Sequence, residues 1–234
     1  MKDFPLFPTE YGMSSITLRE IPYRKQAYIW IQSVAEGQLF PHLGECVRFC
    51  RMAGAERVLA ANHPGLDKFP AYTTLLEMTG LGRSWEETAV RVPISETTVG
   101  RWRMLYNERM SAVDGAGSLT YGDERGILEQ GGACFVCRGA EALGIGWLSK
   151  GQVRAVASLI PGAGETVMAC LMGAVPGQPL RLEVASTNER AIRLYRRLGF
   201  TVTRTLFTWY QIPEKFAKDA QTDAVFFDMY GKNT

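Results

Sequence analysis

The sequence predicts a mixed α/β fold, in which helices cover a central sheet. Short β-branched and apolar runs alternate with amphipathic stretches of helical spacing along the whole chain, which is the pattern of such a fold. Of the 234 residues, 46% are hydrophobic and 21% are charged, which is enough for a substantial core. The turn-rich segment Leu81–Ser84 separates two periodic stretches. We therefore predict an N-terminal α/β domain over 1–84 and a second domain over 85–234.

The N-terminal stretch predicts a hairpin, a helix, a strand and a second helix. Two β-branched and aromatic runs flank Pro22-Tyr23-Arg24-Lys25 and suggest the hairpin. Its predicted elements are the strands Ser15–Ile21, Ala27–Val34 and Arg57–Ala61 and the helices Leu39–Ala53 and Ala71–Met78, the last ending at Gly80.

The second stretch predicts more strands. They are Thr88–Val92, Ala133–Cys137, Ala142–Leu148, Gln152–Leu159, Leu180–Ala185, Thr205–Gln211 and Ala224–Tyr230. The predicted helices are one capped by Ser95 and reaching Val113, Asp123–Gln130, Glu165–Val175 and Asn188–Leu198. The N-terminal stretch shares the element order of Ala142–Phe200. One interpretation is a degenerate half-length repeat, and the other is chance agreement.

Charge and cysteine content exclude several classes of protein. The 26 basic and 24 acidic residues leave a charge of +2, so neither a nucleic acid nor a membrane is expected as a partner. No apolar run is long enough to cross a membrane, and an acid and two prolines near Met1 do not fit a signal peptide, which predicts a cytoplasmic location. Five cysteines and two histidines, poorly spaced for chelation, predict no metal site and no disulfide framework.

The segment from Leu180 to Phe200 carries the most specific pattern. It predicts a buried strand, a cap at Thr187 or Asn188, and a helix ended by Gly199. Its signature residues are Leu182, Val184, Asn188, Ala191, Leu194, Tyr195, Gly199 and Phe200. In type and spacing they resemble the signature of the GCN5-related N-acetyltransferases (GNAT family). The resemblance covers about the last 145 residues. It implies an acyl-CoA N-acyltransferase-like fold with a mostly antiparallel sheet, and acetyl-CoA as cosubstrate.

A second resemblance lies in the loop from Leu159 to Gly164. Gly162 and Gly164 match the glycines of the family's pyrophosphate loop, whereas Leu159 stands where a basic or amide residue is usual and Pro161 removes a possible donor. The first turn of a helix offers unpaired N–H groups and a positive dipole end to a diphosphate. The expected donors are the amides of Gly162, Ala163, Gly164, Glu165 and Thr166, and Thr166 can add its hydroxyl. The alternative is an ordinary strand-to-helix turn.

The resemblance also implies roles for individual residues. Backbone groups of Ala157, Ser158 and Leu159 would face the pantetheine arm and the acetyl oxygen. Tyr195 would be the acid beside the sulfur, with core packing as the alternative. Asn188 would bind the pantetheine, cap a helix, or do both. Arg193, with Arg190, would attract the nucleotide end of coenzyme A, with a solvated helix face as the alternative.

The general base is not visible in the sequence: Glu183, Glu141 and a water chain all stay open. The acceptor pocket is expected near Trp102, Tyr106, Asn107, Glu108 and Met110. The predicted activity is direct acetyl transfer to a primary amine of a small molecule or peptide in a ternary complex, by a monomer or homodimer without a metal. The alternatives are an inactive CoA-binding or protein-interaction module with this fold, and a structural pairing domain that binds no coenzyme A.

Overall fold

The computed structural model describes residues 5–84, 89–214 and 216. Eleven strands and six α-helices lie in these ranges. The strands are β1 (Leu6–Pro8), β2 (Gly12–Thr17), β3 (Gln26–Val34), β4 (Arg57–Ala61), β5 (Ala71–Leu81), β6 (Val90–Pro93), β7 (Ala133–Arg138), β8 (Glu141–Ser149), β9 (Gln152–Ser158), β10 (Pro179–Ala185) and β11 (Thr201–Ile212). The helices are α1 (Ile21–Arg24), α2 (Leu39–Met52), α3 (Val99–Met110), α4 (Glu124–Gln130), α5 (Gly164–Met172) and α6 (Glu189–Arg197).

Contacts divide the chain into two compact units. One contains the described residues up to Thr74 and from Phe207 on, and the other is Leu75–Leu206. The divisions fall inside β5 and β11, so the first unit combines two distant parts of the sequence, whereas the second is one continuous stretch. The domain limits 1–84 and 85–234 were placed at a turn, and they stay a prediction.

The first unit has the strand order β1-β2-β3-β4-β11. The predicted hairpin is confirmed as the antiparallel pair β2 and β3, and β4 then lies parallel to β3. Helix α2 connects β3 to β4 and buries one face, with Leu43, Cys46, Val47 and Cys50 fully enclosed. This β2-β3-α2-β4 order matches β8-β9-α5-β10 of the other unit. The internal repeat remains a prediction, because the elements that follow the two series differ.

Helix α2 also carries a buried polar network. The Nδ1 atom of His42 lies 2.7 Å from the Thr9 hydroxyl, and Nε2 lies 2.7 Å from the Ser14 hydroxyl. The Thr9 oxygen accepts two backbone N–H groups, and its own proton has Nδ1 as the nearer acceptor, since the Gly12 carbonyl lies 3.4 Å away. Burial lowers the pKa of His42, which keeps the ring neutral. The network therefore satisfies a buried side chain, and Ser14 and His42 are both fully enclosed.

The predicted helix Ala71–Met78 is wrong: these residues form β5. Residues Leu75–Leu81 pair antiparallel with β10, from Ala185 back to Pro179. The run Tyr72-Thr73-Thr74 has high strand propensity, which outweighs the helix-like spacing of the following apolar residues. Gly80 does not end a helix. A Cβ at Gly80 would lie 2.9 Å from the Phe200 ring, so the missing side chain makes room for that ring.

The second unit has the strand order β5-β10-β9-β8-β7-β6. Among the described strands of this unit, β9 and β10 alone pair in parallel, which confirms the mixed, mostly antiparallel sheet. Helices α3 and α4 cover one face, where Trp102 and Ile127 pack on Ile145 and Ala157. Helices α5 and α6 cover the other face, where Val167, Met168, Leu171 and Ile192 pack with Val153 and Leu182. The helices thus flank the sheet as predicted.

Several predicted limits are corrected. Helix α3 follows Thr98 rather than Ser95, because the Ser95 carbonyl accepts the amides of Thr98 and Val99 in a preceding turn. It ends at Met110, and α5 ends at Met172. Strand β11 is longer than predicted, since it begins at Thr201. The predicted strand Ala224–Tyr230 lies outside the described residues.

Two glycines of β8 set the distance between the sheet and α5. A Cβ on Gly146 would lie 2.7 Å from the Leu171 side chain, and one on Gly144 would overlap the Val167 side chain and the Ala157 carbonyl oxygen. The missing side chains therefore leave room for Val167 and Leu171 of α5 to pack directly on β8.

We expect Gly144→Ala to lower the free energy of unfolding by about 1–3 kcal/mol, because the new methyl group overpacks against backbone that cannot turn away. Chemical denaturation of the purified chain measures the change. Gly126→Ala on α4 is the control, since nothing lies within 4 Å of its Cβ position. That variant should be neutral or up to about 1 kcal/mol more stable. Equal stability of the two variants would contradict the packing argument.

Candidate active site

A fork between β9 and β10 forms the centre of the candidate site. The two strands pair at Gln152 with Arg181 and at Val153 with Leu182, and no further pair follows although both run on. The separation begins at a β-bulge, because Trp147 pairs with Ala155 and Leu148 with Val153, which leaves Arg154 as an extra residue in β9. A bulge bends its strand and increases its twist. The bulge thus turns the end of β9 away from β10.

The open edge of β9 presents backbone groups to the gap. The Leu159 amide donates to the Leu143 carbonyl of β8 over 2.8 Å, and backbone groups alternate between the two edges of an antiparallel strand. The N–H and C=O groups of Val156 and Ser158 therefore face the gap, whereas those of Ala157 and Leu159 face β8. This corrects the sequence prediction: Ser158 keeps its expected place, and the amides of Ala157 and Leu159 are used within the sheet.

The predicted diphosphate loop joins β9 to α5. Gly162 has φ +85°, a left-handed conformation that favours glycine, and its Cβ position faces open space. The amides of Gly162, Gly164 and Glu165 donate to no acceptor within the described part of the chain. The Ala163 amide does not fit its predicted role, since it donates to the Ile160 carbonyl over 3.2 Å. These three donors at the start of α5 can bind an anion.

Asn188 and Tyr195 lie on the other side of the gap. The Asn188 side-chain oxygen accepts the Ala191 amide over 3.2 Å, so the residue caps α6 while its amide nitrogen stays available. Tyr195 is half-buried and lies 6.2 Å from Phe200 between ring centroids. Burial raises the pKa of its phenol to about 12, and its hydroxyl bonds to no described residue. A protonated phenol without a described protein acceptor thus lines the cavity.

An open cavity of about 860 Å³ connects these groups. Of the residues predicted to bind or act, eight line it: Ala157, Ser158, Gly162, Gly164, Glu165, Asn188, Arg193 and Tyr195. Leu159, Ala163 and Thr166 do not, which corrects their expected direct contact. Most of the predicted binding and catalytic residues therefore surround one cavity.

Arginines surround the part of the cavity beside α6. Arg190, Arg193 and Arg197 all line it, and Arg190 has no ion-pair partner in the described chain. Arg193 pairs with Glu189 over 2.9 Å, and Arg197 with Glu165 over 3.7 Å. The second pair partly neutralises the carboxylate that follows the loop. The net positive charge here favours an anionic ligand.

The expected acceptor residues divide into two groups. Tyr106 and Met110 line the cavity, whereas the Trp102 indole is buried and donates to the Cys134 carbonyl over 3.0 Å. Asn107 exchanges two hydrogen bonds of 2.8 Å with the Leu119 backbone, and Glu108 pairs with Arg109. Asn107 therefore holds the segment after α3 in place.

Sequence reasoning missed that the last turn of α3 and the segment after it contact both sides of the fork. Arg109 lies 3.5 Å from the Leu159 carbonyl at the end of β9, and Asp114 accepts the Thr187 hydroxyl over 2.8 Å beyond the end of β10. Both residues line the cavity, as do Arg154 and Glu183. A local pattern carries no sign of these contacts, because Asp114 and Thr187 are 73 positions apart.

The described residues contain no cluster of three or more metal-ligand side chains, and none of their helices has the length and hydropathy of a membrane span.

No family model matches the sequence, and no curated protein matches it either. Solved structures do match. A GCN5-related N-acetyltransferase from Sphaerobacter thermophilus has TM-score 0.51 and 15% identity, over 86% of this chain and 76% of that one.

Two further structures match at TM-score 0.54. A tandem GNAT protein from the clavulanic acid biosynthesis pathway is 10% identical and covers 86% of this chain and 78% of its own. A conserved protein of unknown function from Staphylococcus epidermidis is 12% identical over 89% and 93%. At these identities the agreement concerns the backbone. The protein has the mixed α/β fold of the GCN5-related N-acetyltransferases.

Proposed function

We propose that the protein is an N-acetyltransferase that uses acetyl-CoA and a primary amine of a small molecule or peptide. The supporting observation is the cavity in the β9–β10 fork, which joins three unused amides at the start of α5 to the unpaired Tyr195 hydroxyl. An acyl donor that carries a diphosphate at one end of a long flexible arm can reach both the loop amides and the Tyr195 hydroxyl. Bound acetyl-CoA would supply an activated thioester.

Each part of the cavity then has a task. The amides of Gly162, Gly164 and Glu165 hold the diphosphate, and Arg190 and Arg193 add positive charge beside it. The backbone N–H and C=O groups of Ser158 and Val156 hydrogen-bond the arm along the open edge of β9. The Asn188 amide nitrogen can donate to the same arm from the opposite wall.

Tyr195 provides the proton that the leaving sulfur needs. The amine attacks as the neutral base, its nitrogen forms a bond to the acetyl carbon, and the carbon–sulfur bond breaks. The ammonium group of the acceptor gives its excess proton to water before the attack. The Tyr195 hydroxyl protonates the sulfur, and the proton that the nitrogen loses as the amide forms passes through water in the open cavity and restores the Tyr195 phenol. Because burial holds the phenol pKa near 12, the acid is in its active form throughout the neutral range. Side-by-side binding makes a covalent enzyme intermediate unnecessary.

The alternative is a module that binds coenzyme A without catalysis. It is favoured by the loop itself, in which Pro161 has no N–H group, Leu159 has no charge and the Ala163 amide is used by the Ile160 carbonyl. These features would weaken binding of the diphosphate. The module hypothesis, however, gives the Tyr195 hydroxyl no role.

Two measurements on the full chain test the proposal. Calorimetry with acetyl-CoA should give binding, and a free-thiol assay over a panel of primary amines should give thiol release that depends on both substrates. Binding with no thiol release above the hydrolytic background would favour the module. If acetyl-CoA at high concentration neither binds nor shifts the melting temperature, the acetyltransferase and the CoA-binding module are both excluded.

A further inference from the structure

The bulge in β9 places an arginine at the closed end of the fork. Arg154 is the extra residue of the bulge, and its guanidinium lies 5.5 Å from the centroid of the Trp147 ring. Trp147 packs with Trp102 of α3, so Arg154 lies on the face of the sheet that α3 and α4 cover. Bulges often redirect a side chain in this way. The residue lines the cavity and has no ion pair within the described chain.

A carboxylate lies beside it on the same face. Leu182 and Val184 pack under α5 and α6, so Glu183 between them faces the α3 side. Continuing the register of Val153 with Leu182 brings Arg154 and Glu183 to neighbouring positions where the strands separate. The Glu183 carboxylate accepts one long bond, 3.5 Å from the Gln152 amide nitrogen, and it lines the cavity. Two opposite charges thus face one space without pairing with each other.

Arg154 is too far from the diphosphate loop to serve it. Leu159 follows Arg154 by five positions of extended chain, which is about 16 Å at the usual rise of a strand. The amides of the loop lie beyond that point. An anion at Arg154 is therefore a different group from the diphosphate, and it belongs to the second substrate.

We propose that the acceptor is a small amine that also carries a carboxylate, with the carboxylate on Arg154 and the ammonium group on Glu183. This inference rests on the acetyltransferase function proposed above and names its substrate class as amino-acid-like. The planar guanidinium can bind a carboxylate through two parallel hydrogen bonds, and its contact with Trp147 holds it in place. Glu183 positions the ammonium group of the acceptor at the fork. The ammonium group gives its excess proton to water before the nitrogen attacks.

The test uses matched acceptors on the full chain. The common amino acids are screened, and each acetylated one is compared with its carboxamide and its decarboxylated amine. We expect kcat/KM for the free acid to exceed that for the other two at least tenfold, mainly through KM. In Arg154→Gln the kcat/KM values for the acid, the carboxamide and the amine should become equal within about threefold. Arg154→Lys should keep part of the preference for the acid. Glu183→Gln should lower kcat/KM for all three.

The control is Arg181→Gln, an exposed arginine two residues before Glu183 on the same face and outside the cavity lining. It should keep the wild-type preference. Calorimetry of the free acid with the protein saturated in coenzyme A gives a readout without turnover, and Arg154→Gln should weaken that binding at least tenfold.

The outcomes separate the two proposals. Equal use of acid, amide and amine by the wild type, or an unchanged preference in Arg154→Gln, overturns the carboxylate assignment and leaves the acetyltransferase intact. Acetyl-CoA binding with neither binding nor acetylation of any free acid also overturns it. Absence of acetyl-CoA binding removes the proposed function and this inference together.

Discussion

Replacing Tyr195 by Phe is expected to lower kcat by about 10²-fold or more while the affinity for acetyl-CoA changes less than threefold. The leaving sulfur loses its proton donor, and general acids contribute about 10²–10⁴ to such steps. The ring contact with Phe200 remains, and the hydroxyl has no described protein partner to lose, so the fold should be unaffected. Steady-state kinetics with the best acceptor, together with calorimetry, measure both quantities.

Tyr106→Phe is the matched control for this result. Tyr106 lines the same cavity, but its hydroxyl donates to the Gly117 carbonyl over 3.2 Å and is therefore engaged with the protein. Its loss should change kcat by less than about fivefold. A Tyr195→Phe enzyme with a wild-type kcat would show that water protonates the sulfur and that Tyr195 only lines the site.

The helix end of the site could be predicted because its pattern is local. Asn188, Tyr195 and the glycines at 162 and 164 lie within short stretches whose types and spacing carry both the cap and the loop. Their predicted elements agree with β9, α5, β10 and α6 to within a few residues. Local geometry and local sequence coincide there.

The fork itself could not be predicted, because it depends on register. Nothing in the run Gln152–Ser158 distinguishes a bulge at Arg154 from a regular strand, and only the pairing with Trp147 and Leu148 creates it. The partner of β10 was missed for a related reason. Strand β5 precedes it by about 100 positions, and its apolar residues fit a helix until the pairing with β10 is known. Non-local pairing outweighed local propensity in both places.

The diphosphate loop can be tested with two variants that have the same shape and differ only in charge. Gly162→Asp places a carboxylate beside the three unused amides, and Gly162→Asn places a neutral group of the same shape there. Both residues tolerate the left-handed backbone better than other side chains, and the Cβ position is open. The strain therefore cancels between the two variants, and only charge differs.

We expect the Asp variant to bind coenzyme A at least tenfold more weakly than the Asn variant, since the new charge repels the diphosphate and competes for the same N–H groups. The gap should narrow as salt is raised, because this part of the loop is exposed and screened. Dephosphorylated pantetheine, which lacks the diphosphate, should bind both variants alike. Equal coenzyme A affinities for Asp and Asn would place the diphosphate elsewhere on the protein, even if Tyr195 proved to be the acid.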